Sequence, residues 1–180
     1  MTTKQFLPLP YGQDDFDNLK ADGCYFVDKT SSLKDVIDTD KSYVMLFTRP
    51  RRFGKSLFMT MTESFLKINS DNPGDTTLQQ KSFKGTKILD DREFCANYMG
   101  QHPAICITLK GVHGVDFEDA YYKLAEVVSA KADEYSFLKD SPSLDEKEKA
   151  KFEKLCDEDY LKSFDKKTQS YVTSAIISLA

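Results

Sequence analysis

The sequence has no tryptophan, two histidines and four cysteines, and each shortage removes a class of function. Cys24, Cys95, Cys106 and Cys156 form no Cys-x-x-Cys pair, and His102 and His113 stand at no ligand spacing from them. That pattern excludes an ordinary zinc site and predicts free, mostly buried thiols in a reducing cytoplasm. Long apolar runs are missing too. Nothing approaches the roughly 18 uninterrupted apolar residues of a membrane span, and the stretch from Met1 to Pro10 lacks the basic and apolar regions of a secretory signal. Nor is basic charge in excess. Twenty-five Lys and Arg against 29 Asp and Glu leave a net charge of -4, which argues against a protein coated for nucleic acid. What remains is globular chemistry: 40% apolar and 30% charged residues, with 13 Phe and nine Tyr as the large side chains. A chain of 180 residues buries about 70% of its unfolded surface, enough for one domain or a large part of one.

Along the chain, Pro8, Pro10 and Gly12 mark an extended arm over residues 1–12. Acids at 14–17, Lys20 and then Gly23 predict a short helix with dipole-compatible ends and a glycine stop. Cys24 to Val27 reads as a short strand, and Asp28 or Thr30 caps a helix with Leu33, Val36 and Ile37 on one face. Tyr43 to Phe47 is continuously apolar, the pattern of a strand buried on both faces in a parallel sheet. Leu57, Phe58, Met61, Phe65, Leu66 and Ile68 then recur at helical spacing. Residues 69–86, with Asn-Pro-Gly at 72–74, read as a loop, and 92–99 as a short helix ending at Gly100. Pro103 to Leu109 predicts a second buried strand. Asp116 to Asp119 open a long helix facing inward through Phe117, Ala120, Tyr121, Leu124 and Val128. After the break at Ser141-Pro142-Ser143, charged helices run from Leu144 to Leu155 and from about Lys167 onward.

Between the strand at 43–47 and its helix lies Thr48-Arg49-Pro50-Arg51-Arg52-Phe53-Gly54-Lys55-Ser56. Strand, loop, Gly-Lys-Ser and amphipathic helix is the order of a phosphate-binding P-loop. There the backbone N–H groups and the helix N-terminus face the phosphates, the lysine reaches the β- and γ-phosphates, and the hydroxyl binds Mg²⁺. Gly54 gives close approach, Lys55 the charge and Ser56 the metal oxygen. Arg49 stands where Gly-x-x-x-x-Gly-Lys-Ser has its first glycine. A basic loop at 49–55 that binds nucleic-acid phosphates or a protein is the competing reading. Arg51 and Arg52 fit a γ-phosphate contact and a contact with a partner domain or nucleic acid equally well.

The segments Tyr25-Phe26-Val27-Asp28-Lys29-Thr30 and Thr48 to Leu57, with Leu9-Pro10 and Asp15-Phe16, resemble the bacterial AAA-ATPase-like family, whose loop reads Arg-Pro-Arg-Arg-Phe-Gly-Lys-Ser. The resemblance covers nearly the whole chain and accounts for Arg49. It implies an α/β fold: a partial P-loop NTPase, three-layer α/β/α and helix-rich, whose parallel sheet is incomplete in this chain. It further implies an ATP-binding, Walker A module akin to STAND ATPases. Arg49, Pro50, Arg51, Arg52, Phe53, Gly54, Lys55, Ser56 and Leu57 would then contact ATP, with Mg²⁺ on Ser56. As partners it implies a nucleoside triphosphate, the remainder of the same ATPase domain, a C-terminal nuclease-like domain of the PD-(D/E)XK type and, through the parent protein, nucleic acid; no membrane is implied.

Hydrolysis also needs an apolar strand ending in Asp or Asp-Glu. Lys87-Ile88-Leu89-Asp90-Asp91 has two apolar residues before its acids, Ser174 to Ala180 has no acid, and Cys24 to Asp28 precedes the loop. Residues 1–180 are therefore expected to be the N-terminal portion of one ATPase-like domain that binds ATP but is inactive alone, with no catalytic residue assigned. Its parts are an arm and helices at 1–40, the loop strand, P-loop helix, second strand and helix at 41–140, and C-terminal helices at 141–180. Glu118 and Asp119 read as helix-opening acids, and His113 as a polar loop residue between Gly111 and Gly114.

Overall fold

Short helices stop and start where the sequence supplies caps. The structure, a computed structural model, describes residues 6–37 and 44–179, with the backbone alone for 175–179. It divides into two compact units, residues 1–104 and 105–180.

In the first unit, α1 (Phe16–Ala21) begins where the Asp15 carboxylate accepts the Asn18 N–H at 2.8 Å and stops at Gly23, whose φ is 63°. A 3-10 turn (Thr30–Ser32) leads into α2 (Leu33–Ile37). Next come α3 (Lys55–Leu66), α4 (Thr77–Ser82), a 3-10 turn (Lys87–Asp90) and α5 (Arg92–Tyr98). α4 lies inside the stretch expected to be a loop. Just ahead of the Thr76 cap position, Asp75 accepts the Thr77 N–H at 2.9 Å and hydroxyl at 2.6 Å, and Gln79 and Phe83 are buried. The core is aromatic: Phe65 stacks on Phe94 at 5.8 Å and meets Phe83 edge-on at 5.4 Å, while Phe83 packs on Phe16 at 4.7 Å. Leu33, Met61, Ile88 and Met99 close around these rings.

The expected parallel sheet is not formed. Among the described residues there is no named strand, and the one isolated bridge is parallel, between Lys67 and His102. His102 N–H donates to Leu66 O at 3.0 Å and Ile68 N–H to His102 O at 3.1 Å. Residues 24–27, 44–47 and 103–109 run outside helices without becoming strands, and Tyr43 lies outside the described residues. The physical reason is visible in the exposures. A continuous apolar run is suited to burial on both faces but does not supply the neighbouring strands a sheet requires. Here the helices build the core instead, leaving Val44 83% and Leu46 86% exposed.

Asp28 holds this unit's loops together. Its carboxylate accepts the Thr30 N–H at 2.9 Å, the Thr30 hydroxyl at 2.7 Å and the Lys87 N–H at 2.8 Å. Partial burial pushes the carboxyl up, but these hydrogen bonds and the Lys87 charge outweigh it and hold it below the ordinary aspartate value. A carboxylate favoured in the fold adds stability that is complete above the unfolded aspartate value of about 3.9 and fades as pH falls through the lower folded value. Asp28→Asn is expected to cost about 1–2 kcal/mol at pH 7 and to flatten the loss of stability below about pH 4. Urea unfolding at pH 7 and pH 3 checks both; equal losses at the two pH values would contradict it.

The second unit is a helical cluster. α6 (Phe117–Asp133) is capped by Asp116, which accepts the Asp119 N–H at 2.9 Å, and buries Tyr121, Ala125, Val128 and Ala132. After a 3-10 turn (Ser136–Asp140) come α7 (Glu146–Cys156), opened by an Asp145–Glu148 capping box, α8 (Glu158–Leu161) and α9 (Lys166–Leu179). The Tyr121 hydroxyl donates to Leu161 O at 2.8 Å and Ser129 to Cys156 O at 3.0 Å, pinning α6 to the last residues of α8 and α7. Lys162 bridges Glu126 and Glu158, both at 2.6 Å, and these partners hold its ammonium above the ordinary lysine value. None of the four cysteines is in a disulfide, and all are half-buried. No helix among the described residues is long and apolar enough to cross a membrane.

Candidate anion-binding loop

Residues 49–54 are a turn rather than a strand or helix, and α3 starts at Lys55. Two residues in the left-handed region shape the turn: Arg52 at φ 67° and Gly54 at φ 79°. Glycine takes that conformation without a Cβ clash, so Gly54 serves as the N-terminal cap without a side chain. Its carbonyl accepts the Phe58 N–H at 2.9 Å, closing the first helical bond. The N–H groups of the first turn have no partner within the helix and carry the positive end of the helix dipole. The Lys55 ammonium folds back over the turn and donates to Arg49 O at 2.7 Å and Pro50 O at 3.0 Å.

The platform under the loop is firm. Phe47 packs on Phe58 at 5.3 Å, fixing the incoming segment to α3. Thr60 accepts the Phe16 N–H and donates to Asp14 O, both at 3.1 Å, and Ser64 donates to Asp17 at 2.8 Å, so α1 braces the outer side of α3. Leu57 and Phe58 pack against the core below.

Arg49, Arg51, Arg52 and Lys55 put four cations in seven residues, and no acid occurs from 41 to 62. Arg49 to Ser56 are all exposed, and Leu57 is half-buried. The composition of the loop suits a polyphosphate: its cations adjoin a helix N-terminus, and no carboxylate occurs in the segment to repel it. For a metal the loop offers one oxygen, the exposed Ser56 hydroxyl, and no three His, Cys, Asp or Glu gather among the described residues.

Two of the acids considered for hydrolysis, Asp28 and Asp91, are engaged elsewhere. Asp28 holds Thr30 and Lys87. Asp91 pairs with the Lys34 ammonium and caps α5 through the Phe94 N–H; the ammonium first and the cap second hold its carboxyl below the ordinary value. Asp90 ends a 3-10 turn, and Glu118 and Asp119 lie in the first turn of α6. His113 is in a loop, with its carbonyl accepting the Lys123 ammonium at 2.7 Å.

Tyr25, Phe26, Val27 and Lys29, given no site role from sequence, line a cleft of about 320 Å³ together with Arg52, Phe53 and Gly54. The available signal was a short aromatic and apolar run ending in a lysine near the Pro-rich arm, which reads equally as a strand.

The AAA-ATPase-like family model, described as "Predicted AAA-ATPase", matches residues 10–175. A curated protein of Azotobacter chroococcum mcd 1, described as an uncharacterized protein in the vnfD 5' region, is 32% identical over 123 residues, which is 67% of this chain and 20% of that protein. The chain thus spans about a fifth of that relative's length. No solved structure matches.

Proposed function

The chain belongs to the AAA-ATPase-like family of predicted AAA-ATPases, and from that premise we propose that residues 49–57 are a Walker A loop binding the phosphates of ATP. The observation that carries this is the turn with its two left-handed residues, set at the N-terminus of α3 with Lys55 closed over it. In this function the backbone N–H groups from Gly54 to Leu57 bind the β-phosphate, and Lys55 leaves the Arg49 and Pro50 carbonyls to neutralise the β- and γ-oxygens. Arg51 and Arg52 add positive potential at the rim. The Ser56 hydroxyl would hold Mg²⁺, which when bound neutralises charge on the phosphate oxygens. The chain's role here is retention of the nucleotide. Cleavage of the γ-phosphate would need a carboxylate beyond Asp28 and Asp91, both committed to structural bonds.

A ligand at 100 times its dissociation constant adds about 2.7 kcal/mol, and each kcal/mol moves the midpoint of a chain this size by roughly 2–4 °C. Mg-ATP or Mg-ADP is therefore expected to raise the melting midpoint by about 5–10 °C in a thermal-shift titration. No shift at millimolar nucleotide would overturn the proposal. A shift with an oligonucleotide instead, collapsing steeply with salt, would replace it with phosphate-backbone binding.

A further inference from the structure

We infer that a second cleft, at the end of α3 remote from the loop, binds the phosphate monoester of a small polyol. Residues of α1, of the end of α3 and the turn after it, and of α4 enclose about 510 Å³ there. Small-molecule sites run from roughly 300 to 1,000 Å³. Lys20, Lys67 and Lys81 line the cleft against one acid, Asp17, so its field favours an anion. Asp17 accepts the Ser64 hydroxyl at 2.8 Å, Lys20 donates to Lys84 O at 3.2 Å, and Lys81 is exposed on α4. Ser64 lies nine residues past Lys55, about 14 Å along the helix at 1.5 Å per residue. The site is therefore separate from the loop and does not depend on the loop binding ATP.

The uncharged part of the wall says what the anion carries. Gln79 is 7% exposed and lines the cleft. Its Nε2 donates to Lys67 O at 2.8 Å, just past the end of α3, and its Oε1 is buried without a donor. A buried acceptor with no partner is an exception in a folded chain, and a ligand hydroxyl supplies the missing donor. Asn18, Asn69, Ser70 and Ser82 add further amides and hydroxyls. Ala21, Ile68 and Leu78 offer apolar surface to the ligand's carbons. Among the described residues no aromatic ring lines the cleft, so a stacked base finds no platform. Inorganic phosphate would leave Gln79 and most of the volume unused, and a neutral sugar would leave the lysines unused. A phosphate ester rich in hydroxyls uses both.

Titration of the isotope-labelled 180-residue chain with glucose-6-phosphate, glucose and inorganic phosphate, followed by amide NMR, tests the site and its occupant together. Shifts are expected at residues 17–21, 64–70 and 78–82. The ester should bind about 10-fold or more tighter than either of its parts. Lys81→Ala should weaken the ester about 3- to 10-fold. Gln79→Leu should weaken the ester and leave inorganic phosphate unchanged. Shifts confined to 49–57 would put the phosphate on the loop and overturn the second site, as would no shift with any probe. Additional shifts at the loop would leave the cleft assignment standing. Equal affinities for phosphate and its ester would overturn the polyol assignment. The three probes on the unaltered chain decide the matter even where Gln79→Leu does not fold.

Discussion

Phe65→Ala is expected to lower the thermal midpoint by about 6–20 °C, the largest single-residue effect in the chain. Phe65 is fully buried in α3, one turn beyond Met61, with Phe83 against its edge and Phe94 over its face. Deleting a buried phenylalanine ring loses its transfer free energy and leaves a cavity, together about 3–5 kcal/mol. The ring contacts add to the loss, and the flexible Met61 and Met99 of the same core fill only part of the space. At roughly 2–4 °C per kcal/mol that gives the stated range. Phe117→Ala is the matched control: Phe117 is 71% exposed, and its loss should lie within about 0.5 kcal/mol. Similar losses at the two positions in urea unfolding would show that the aromatic core is not what holds the first unit.

Lys55→Ala is expected to weaken Mg-ATP binding by about 10- to 150-fold, the equivalent of one charge-assisted hydrogen-bond set. In the structure the same ammonium donates to Arg49 O and Pro50 O. Both contacts are exposed, so their loss should change the unliganded midpoint little. Binding and stability therefore separate at this residue: the melting curve without nucleotide stays where it was, and the nucleotide-induced shift disappears. Lys55→Arg should rescue poorly, because a planar fork does not replace a compact ammonium inside a narrow turn. Ser56→Ala should remove chiefly the Mg²⁺-dependent part of the affinity. A Lys55→Ala chain that still shows the full shift would place the nucleotide elsewhere.

Local signals are legible at some elements and not at others: the stretch at 69–86, expected to be a loop, contains α4. Gly54 followed by Lys55 and a helical stripe predicted a turn and a helix, and α3 starts at Lys55 with Met61 and Phe65 buried. The periodicity after Asp116 located α6 and picked out Tyr121 and Val128 as buried, but it also pointed inward at Phe117, which sits on the first turn where the cap, not the core, fixes the backbone. The expected sheet fails for a different reason. Val44 to Phe47 are apolar enough for a buried strand, yet burial depends on neighbours contributed from distant sequence, and in this chain the rings of α3 and α5 meet, with Phe83 linking Phe65 to Phe16 of α1. The cleft at Tyr25 was illegible because its residues look like core until the structure shows them open.

Arg52 sets two kinds of fitness against each other. An L-residue at φ 67° carries roughly 1–2 kcal/mol of steric cost that glycine would not, partly offset by glycine's greater freedom when unfolded. The easiest stabilising change available to this turn is therefore to glycine, and that change would discharge a cation from the rim. Selection for a hardier scaffold and selection for a grip on anions pull this codon in opposite directions. Drift toward glycine here would mark a lineage in which the loop had kept its shape and lost its purpose.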